Sequence, residues 1–393
     1  MKYINIKALF LSAVVAGGGI FASCENAKYD TLDVHAYIEE ALSNSSSKVT
    51  VPVEGESRTS LNIRISDVSS TDNHYQLVPD QSVLDEYNRI NGTGYVMLPA
   101  ESYTLPDDIT VKAGAYAGDA VSLVLKSFSD EMMKSGESYA LPLRLVLKNG
   151  TAEAMQTTGT FVVLAESIVK FSAPQFTGTA DLVAKKFEEA PETYNEYTIE
   201  VRFQVSNTAN RNRAVFSSSD GSGKSILLRF EDPQSTNANF KAHSLVQIQL
   251  HDSYVNPIYS FEPNKWQHLA VTFDGSKYKI YINGREGGSL ASSNAEKTFK
   301  EVTFFSAGNF WSGCKILMSE ARIWSVARSA SQIQNNMTQV SPKSAGLEAY
   351  WRFNEGSGNT FEDATGKGHT LTTDKTPVWI DGILSTDDAT NWE

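Results

Sequence analysis

Paired carboxylates are the first chemistry to look for, because two carboxyl groups at a fixed separation can hydrolyse a glycosidic bond. A strand reading Glu-x-Asp-x-x-Glu would place alternate acidic side chains in one cleft, and the sequence contains no such run. Glu362 and Asp363 are adjacent, so on a strand they would point to opposite faces. Glu200 and Glu320 have no acidic partner at the right step. We therefore expect solvated surface carboxylates, no catalytic residue and no enzyme.

Metal and nucleophile motifs are also missing from the sequence. The six histidines do not form an HExxH pair, and neither a Gly-x-Ser-x-Gly elbow nor a phosphate-binding glycine loop is present. We predict no cofactor and no catalytic metal. A structural calcium ion remains an alternative, because hard cations prefer clustered oxygen ligands. Its candidate ligands are Asp252, Asn256, Asp363 and Asp381, which are otherwise ordinary turn residues.

Two loops combine polar and aromatic side chains, as ligand-recognition loops do. The first contains His251, Asp252 and Tyr254, and the second contains Asn309, Phe310 and Trp311. Trp311 is flanked by Gly and Ser residues, whereas Trp266 and Trp351 lie in alternating strand patterns typical of a core. We predict that these six loop residues bind a ligand. The alternative is that Trp311 folds back onto the edge of the domain.

The N-terminus has the pattern of an export signal. Residues 1–23 carry Lys2 and Lys7, followed by an uncharged apolar run that is too short to span a bilayer comfortably. Phe21-Ala22-Ser23-Cys24 resembles a bacterial lipobox, although an aliphatic residue is usual at the position of Phe21. We expect lipidation at Cys24, a tether over residues 24–30, and a lipid-anchored protein at the outer membrane or cell surface. The alternative is an ordinary signal peptide with a chance cysteine.

Composition predicts a globular chain with more than one domain. Of 393 residues, 41% are hydrophobic and 20% are charged. The net charge of −12 disfavours nucleic-acid partners, because phosphates are repelled. Period-two alternation predicts an all-β protein, with a first module over residues 31–166 and a second over 168–393. One helix, over residues 79–90, interrupts the first module, with Asp80 as its N-cap and Gly92 at its end.

Residues 85–103 of the first module carry a family resemblance. The segment Asp85-Glu-Tyr87-Asn88-Arg-Ile-Asn-Gly92-Thr93-Gly94-Tyr95, followed by Leu98-Pro99 and Tyr103, resembles domain of unknown function 1735. That domain lies near the N-termini of Bacteroidetes surface lipoproteins, which are often encoded beside glycan-uptake systems. The resemblance implies a β-sandwich-like module and neighbouring glycan-uptake proteins as partners.

The second module resembles the laminin-G and concanavalin A-like jelly roll. Trp266-Gln-His268-Leu-Ala-Val-Thr-Phe-Asp274-Gly275 and Tyr281-Ile-Asn283-Gly284 match its central strands. Ser319 to Ser329 and Leu347 to Gly368 match its later segments. The Asn-Gly pair predicts a tight hairpin, and Cys314, in a strand-like run, predicts a buried thiol. Because domains of this fold include lectins, adhesion modules and glucanases, the fold alone leaves the function open.

Together these features predict a non-catalytic surface lipoprotein that binds an oligosaccharide or polysaccharide within a glycan-utilisation system. Sugar rings stack on aromatic faces, and Asn, Asp and His side chains supply hydrogen bonds. The alternative is a structural or adhesion lipoprotein that binds a protein partner. A glycoside hydrolase is the least favoured hypothesis, because the sequence lacks the carboxylate pattern that such an enzyme needs.

Overall fold

The computed structural model describes residues 33–135, 137–231, 243–292 and 295–392. Residues 34–393 form one compact unit. The predicted signal peptide, the lipidation site Cys24 and the tether lie outside the described residues. In the part of the chain that is described, no helix is long and apolar enough to cross a membrane.

The N-terminal module is built from short strands and two α-helices. Its helices are α1 (Gln81–Asn91) and α2 (Asp130–Ser135), with 3-10 turns at Glu39–Leu42 and Ala100–Ser102. Its strands are β1 His35–Ile38, β2 Ser46–Val51, β3 Glu56–Leu61, β4 Ile63–Ile65, β5 Asn73–Pro79, β6 Val96–Met97, β7 Tyr103–Thr104, β8 Ile109–Val111, β9 Val121–Lys126, β10 Tyr139–Asn149, β11 Glu153–Ala154 and β12 Thr160–Ser167.

These strands form three sheets around one apolar core. The largest has the order β2-β12-β10-β5-β8, with β6 beside β10, and the smaller ones are β11-β1-β4 and β3-β9-β7. Helix α1 begins where predicted, since the Asp80 carboxylate accepts a hydrogen bond from the Ser82 N–H at 2.8 Å. It ends at Gly92, which has a φ of 59°. The all-β prediction is confirmed, and α2 is a second short helix that the sequence pattern did not predict.

The C-terminal module contains the remaining strands. Its helices are α3 (Lys185–Glu189) and α4 (Ala330–Asn335), with a 3-10 turn at Gly308–Trp311. Its strands are β13 Lys170–Thr177, β14 Leu182–Ala184, β15 Glu192–Thr193, β16 Tyr197–Val205, β17 Ala214–Ser219, β18 Ser225–Glu231, β19 Leu245–Leu250, β20 Tyr254–Val255, β21 Gln267–Phe273, β22 Lys277–Ile282, β23 Arg285–Ala291, β24 Thr298–Phe299, β25 Thr303–Phe304, β26 Lys315–Trp324, β27 Leu347–Trp351, β28 Thr360–Phe361, β29 Leu371–Thr372 and β30 Val378–Leu384.

Two large antiparallel sheets of this module pack face to face. One has the order β23-β22-β21-β16-β26-β13-β30, with β27 beside β26, and the other has the order β20-β19-β18-β17-β25-β14-β29-β28. The side chains between them form a single apolar core, which includes Trp351 and the Cys314 thiol as predicted. This is the jelly-roll sandwich expected from the alternating pattern, because every second side chain of a strand points into the space between the sheets.

The outer faces of the two sheets differ in exposure, and this difference decides where a ligand can bind. On the first sheet, outward-pointing Glu200, His268 and Arg322 are all buried, so we call it the covered sheet. Helix α4 and the C-terminal segment lie over it: Ile333 packs on Ala270 and Tyr281. The second sheet keeps partly exposed side chains on its outer face, and we call it the solvent-facing sheet.

The N-terminal module contacts the covered-sheet side of the C-terminal module. Gln332 Nε2 donates to the Asn91 carbonyl at 2.5 Å, and Lys48 Nζ donates to the Asn335 carbonyl at 2.6 Å. Lys343 forms an ion pair with Glu137 at 2.6 Å. The two modules therefore share an interface, and only residues 168–169 separate the last strand of one, β12, from the first strand of the other, β13.

The hairpin between β22 and β23 turns at Asn283 and Gly284, as the sequence predicts. Both residues have positive φ, 49° and 74°, which a two-residue turn of this kind requires. A Cβ atom at Gly284 would lie 3.0 Å from Gln334 Cα. We expect Gly284→Val to lower the free energy of unfolding by about 1 kcal/mol or more, because a β-branched residue resists positive φ. Chemical denaturation measures this loss, and an unchanged midpoint would show that the turn tolerates the substitution.

Candidate functional site

A row of side chains crosses the outer face of the solvent-facing sheet. Strand pairing places Thr303 beside Ser217, Ser217 beside Leu227, Leu227 beside Gln249, and Gln249 beside Tyr254. We call these five residues the surface row. Their neighbours along each strand, such as Leu228 and Ile248, point into the core, so the row faces outward. At roughly 4.8 Å per strand spacing the row is about 19 Å long.

The surface row offers hydrogen-bonding groups and apolar surface together. The Ser217 and Thr303 hydroxyls bond to each other at 2.7 Å. The side-chain oxygen of Gln249 is buried and makes no hydrogen bond among the described residues, so the amide has to turn outward to accept a bond from a ligand hydroxyl. Leu227, half-buried between these groups, adds apolar surface. A mixture of this kind suits a ligand with both hydroxyls and C–H faces.

A second row next to the surface row adds charged and amide groups. Arg229 pairs with Gln247 across β18 and β19, and Gln247 Nε2 donates to Asn256 Oδ1 at 2.8 Å. Arg229 also lies 2.9 Å from the buried carboxylate of Glu231. These contacts hold the side chains in place, so the face is ordered before a ligand arrives.

Tyr254 closes one end of the surface row and is its only large aromatic side chain. The residue is 45% exposed, so part of the side chain is open to solvent. His251 and Asp252, which the sequence pattern grouped with it, lie exposed in the turn between β19 and β20. The structure thus brings the first predicted loop to the edge of the surface row.

Trp311 does not lie where the sequence pattern suggested. Its side chain is 0% exposed and packs against Phe230 and Phe305 with ring centroids 6.0 and 5.8 Å apart. Its Nε1–H donates to the Ser306 carbonyl at 2.6 Å, and the Arg213 guanidinium covers the ring at 5.4 Å. The prediction that a ligand stacks on Trp311 is therefore wrong, and the alternative, a ring folded back onto the sandwich, is what the structure shows.

The two predicted binding loops also lie at opposite ends of the solvent-facing sheet. Leu250, just before the first loop, pairs with Ile226 at the start of β18. Trp311, in the second loop, packs on Phe230 near the end of that strand. Four residues of a strand separate these points by about 13 Å. Asn309 and Phe310 are exposed as expected, but they do not join Tyr254 in one site.

The sequence pattern missed the surface row because its members are ordinary strand residues. Ser, Leu, Gln and Thr at alternating positions predict only a half-buried strand. Their common face depends on the register between β17, β18, β19 and β25, which are separated by up to 86 residues in sequence. The polar alternation of Gln247 and Gln249 in an otherwise apolar strand was the one available signal.

The carboxylates that were expected on the surface lie instead in a buried ion-pair network. Glu200 accepts from Arg322 at 3.0 Å and from Arg328 at 2.6 Å, and it contacts His268 Nε2 at 3.1 Å. Glu320 is bound to Arg322 as well. Burial raises the pKa of Glu200, but Arg328, His268 and Arg322 outweigh it and hold that pKa below its usual range. A carboxylate that is buried, ionised and held by two guanidiniums has no route to a substrate.

The buried surroundings of His268 also determine the protonation state of its ring. Desolvation lowers the pKa of this ring despite the neighbouring Glu200 carboxylate. Its Nδ1 is buried and has no hydrogen-bond partner among the described residues. A neutral ring that donates from Nε2 satisfies this arrangement, because protonation would add a buried N–H without an acceptor. His268 is thus a structural residue of the sheet, as the sequence pattern indicated.

The four candidate calcium ligands have separate structural roles. Asp363 is 8% exposed and accepts hydrogen bonds from the Tyr350, Thr365 and His369 N–H groups. Asp381 accepts from the Ser172 hydroxyl at 2.5 Å. Within the described ranges, no three acidic, histidine or cysteine side chains come close enough to hold a metal ion. Calcium binding stays a prediction without a located site.

Comparison with known families confirms both resemblances. A family model of an N-terminal domain matches residues 29–151. The model of the concanavalin A-like lectin/glucanases superfamily matches residues 178–334, which include the surface row. Residues 178–334 form a concanavalin A-like domain. No curated protein matches the chain.

Solved structures with similar folds cover this domain or the whole chain. A Bacteroides ovatus protein, provisionally described as carbohydrate binding, is 22% identical with a TM-score of 0.48, over 88% of this chain and 97% of its own. Domain 4 of an extracellular arabinanase from Geobacillus stearothermophilus, solved with arabinotriose, is 18% identical with a TM-score of 0.30, over 37% of this chain and 67% of its own. A two-domain Bacteroides fragilis protein of unknown function is 11% identical with a TM-score of 0.32, over 73% and 89%. The family matches, rather than these alignments, identify the concanavalin A-like domain.

Proposed function

We propose that the protein is a non-catalytic carbohydrate-binding protein and that the surface row of its concanavalin A-like domain binds the sugar. The observation that carries this proposal is the contrast between the two outer faces. One sheet face is buried, while the other presents Tyr254, Gln249, Leu227 and Ser217 in a line across successive strands.

The shape of the face favours an extended oligosaccharide over a single sugar. The row crosses five strands of the sheet, and its side chains repeat at strand spacing. Tyr254 supplies one stacking platform, worth about 1 kcal/mol. A few such contacts predict dissociation constants between micromolar and millimolar.

The proposal includes attachment of the protein to the outer membrane through a lipid anchor. Acylation of Cys24 would hold many copies of the protein at the outer membrane, where weak sites gain by avidity. In this role the protein would capture glycans for neighbouring uptake proteins. The lipobox-like pattern Phe21-Ala22-Ser23-Cys24 supports this anchor.

A screen of the protein without residues 1–24 on a glycan array and on polysaccharide affinity gels tests the function. We expect retention by at least one linear polysaccharide, and no shortening of that polysaccharide after overnight incubation. Binding to no glycan, together with capture of a purified surface protein, would favour an adhesion role. Release of shorter products would show that the protein is an enzyme.

A further inference from the structure

A cavity of about 100 Å³ lies where the N-terminal module meets the covered sheet. Phe128, Met132 and Met133 supply an apolar wall from the N-terminal module. Arg202 and Ser319 supply polar groups from β16 and β26. Exposed residues also line the cavity, among them Asn335 and Asn354, so it reaches the protein surface. It is separate from the surface row, which lies on the other sheet.

Arg202 is buried in this cavity with most of its hydrogen-bonding capacity unused. The residue is 6% exposed, and its guanidinium lies 4.6 Å from the Trp266 ring and 6.0 Å from the Phe171 ring. Its one hydrogen bond among the described residues runs from Nη2 to the Ser385 carbonyl at 3.3 Å. Burial lowers the pKa of Arg202 to about 10, so the group is still charged at neutral pH. A guanidinium has five N–H donors, and an anion is their strongest acceptor.

Arg202 lies among other charged residues but pairs directly with none of them. The carboxylates of Glu137, Glu166 and Glu320 line the cavity together with Arg202, Lys48 and Arg352. Glu200 pairs with both Arg322 and Arg328, and Glu320 pairs with Arg322. Arg202 has neither carboxylate within ion-pair distance. One buried positive charge therefore lacks a direct counter-ion, which is costly unless an anion arrives.

Other polar groups of the cavity are also available to a ligand. Glu320, which also lines the cavity, and Asp387 act on Arg202 without forming an ion pair with it. The hydroxyls of Tyr95 and Ser319 both line the cavity and make no hydrogen bond among the described residues. Two hydroxyls and a guanidinium can together surround the oxygens of one carboxylate.

We propose that this cavity binds a small carboxylate-bearing molecule, with Arg202 as its counter-ion and the Phe128, Met132 and Met133 wall against its carbon atoms. The volume equals that of roughly three water molecules, so the bound portion is about the size of acetate or lactate. The site does not depend on carbohydrate binding by the surface row, and the two can fail separately.

Titration of the full chain in detergent with sodium lactate tests the site, with sodium chloride and glycerol as matched additives. We expect saturable binding with a dissociation constant below about 10 mM, and a rise in melting temperature that neither control additive reproduces. Arg202→Gln should weaken binding at least about tenfold, because a charged hydrogen-bond partner is lost. Arg58→Gln, an exposed arginine on β3, is the matched control and should bind like the wild type.

A second variant keeps the test decisive if Arg202→Gln does not fold. Ser319→Leu fills the cavity from β26 and should abolish lactate binding while leaving the arginine in place. The proposal is overturned if glycerol stabilises the protein as much as lactate does, if no saturable lactate binding is found, or if a folded Arg202→Gln or Ser319→Leu variant binds like Arg58→Gln.

Discussion

Glu200→Ala should lower the free energy of unfolding by about 3–5 kcal/mol, because the substitution leaves two buried guanidiniums facing each other. Arg322 and Arg328 are both almost fully buried and both bind this one carboxylate. Without it, Arg328 would lose its main attraction and Arg322 would keep only Glu320, while both would keep the cost of burial. Chemical denaturation followed by tryptophan fluorescence measures the change.

Glu286→Ala is the matched control for this substitution. Glu286 lies on β23 of the same sheet and pairs with Lys279 at 3.0 Å, but both side chains are more than one third exposed. An exposed pair contributes about 0–1 kcal/mol, so the control should change stability little. Equal effects of the two substitutions would show that the network around Glu200 does not stabilise the fold.

Trp311→Ala should also destabilise the protein strongly, by about 3–5 kcal/mol, because it removes a fully buried ring from the core. The ring fills space between Phe230 and Phe305 and stacks beneath Arg213. The surrounding strands cannot close such a cavity without shifting, so both the transfer free energy and the packing are lost.

Phe310→Ala, at the neighbouring position, provides the comparison. Phe310 is 47% exposed and should change the free energy of unfolding by about 0.5 kcal/mol or less. Thermal denaturation of the two variants side by side separates a core ring from a surface ring. A Trp311→Ala variant that melts like the wild type would contradict the burial of this ring.

The fold was largely predictable because it depends on local pattern. Tyr197–Val205 alternates perfectly and forms β16, and Asn283-Gly284 forms the turn between β22 and β23. Asp80 and Gly92 mark the ends of α1, since their side-chain and backbone properties act within one turn of the helix. Each of these signals lies within about ten residues of the structure that it specifies.

The site was less predictable because it depends on contacts between distant segments. The Gly-rich surroundings of Trp311 are typical of an exposed loop, yet Phe230 and Arg213, about 80 to 100 residues earlier, bury the ring. In the sequence, Glu200 resembles a solvated strand residue. In the structure, α4 and the N-terminal module cover the sheet face on which it lies. Periodicity reports which side chains share a face, but it does not report what lies above that face.

Calorimetric titration with an oligosaccharide identified on the array tests the central claim most directly, using Tyr254→Ala, Gln249→Ala and Phe310→Ala beside the wild type. Tyr254 and Phe310 are matched in exposure, at 45% and 47%, but only Tyr254 belongs to the surface row. We expect Tyr254→Ala and Gln249→Ala each to weaken binding several-fold, as the loss of about 1 kcal/mol implies, and Phe310→Ala to leave it unchanged. Weaker binding by Phe310→Ala, with wild-type binding by the other two, would place the sugar at the opposite end of the sheet and contradict the account.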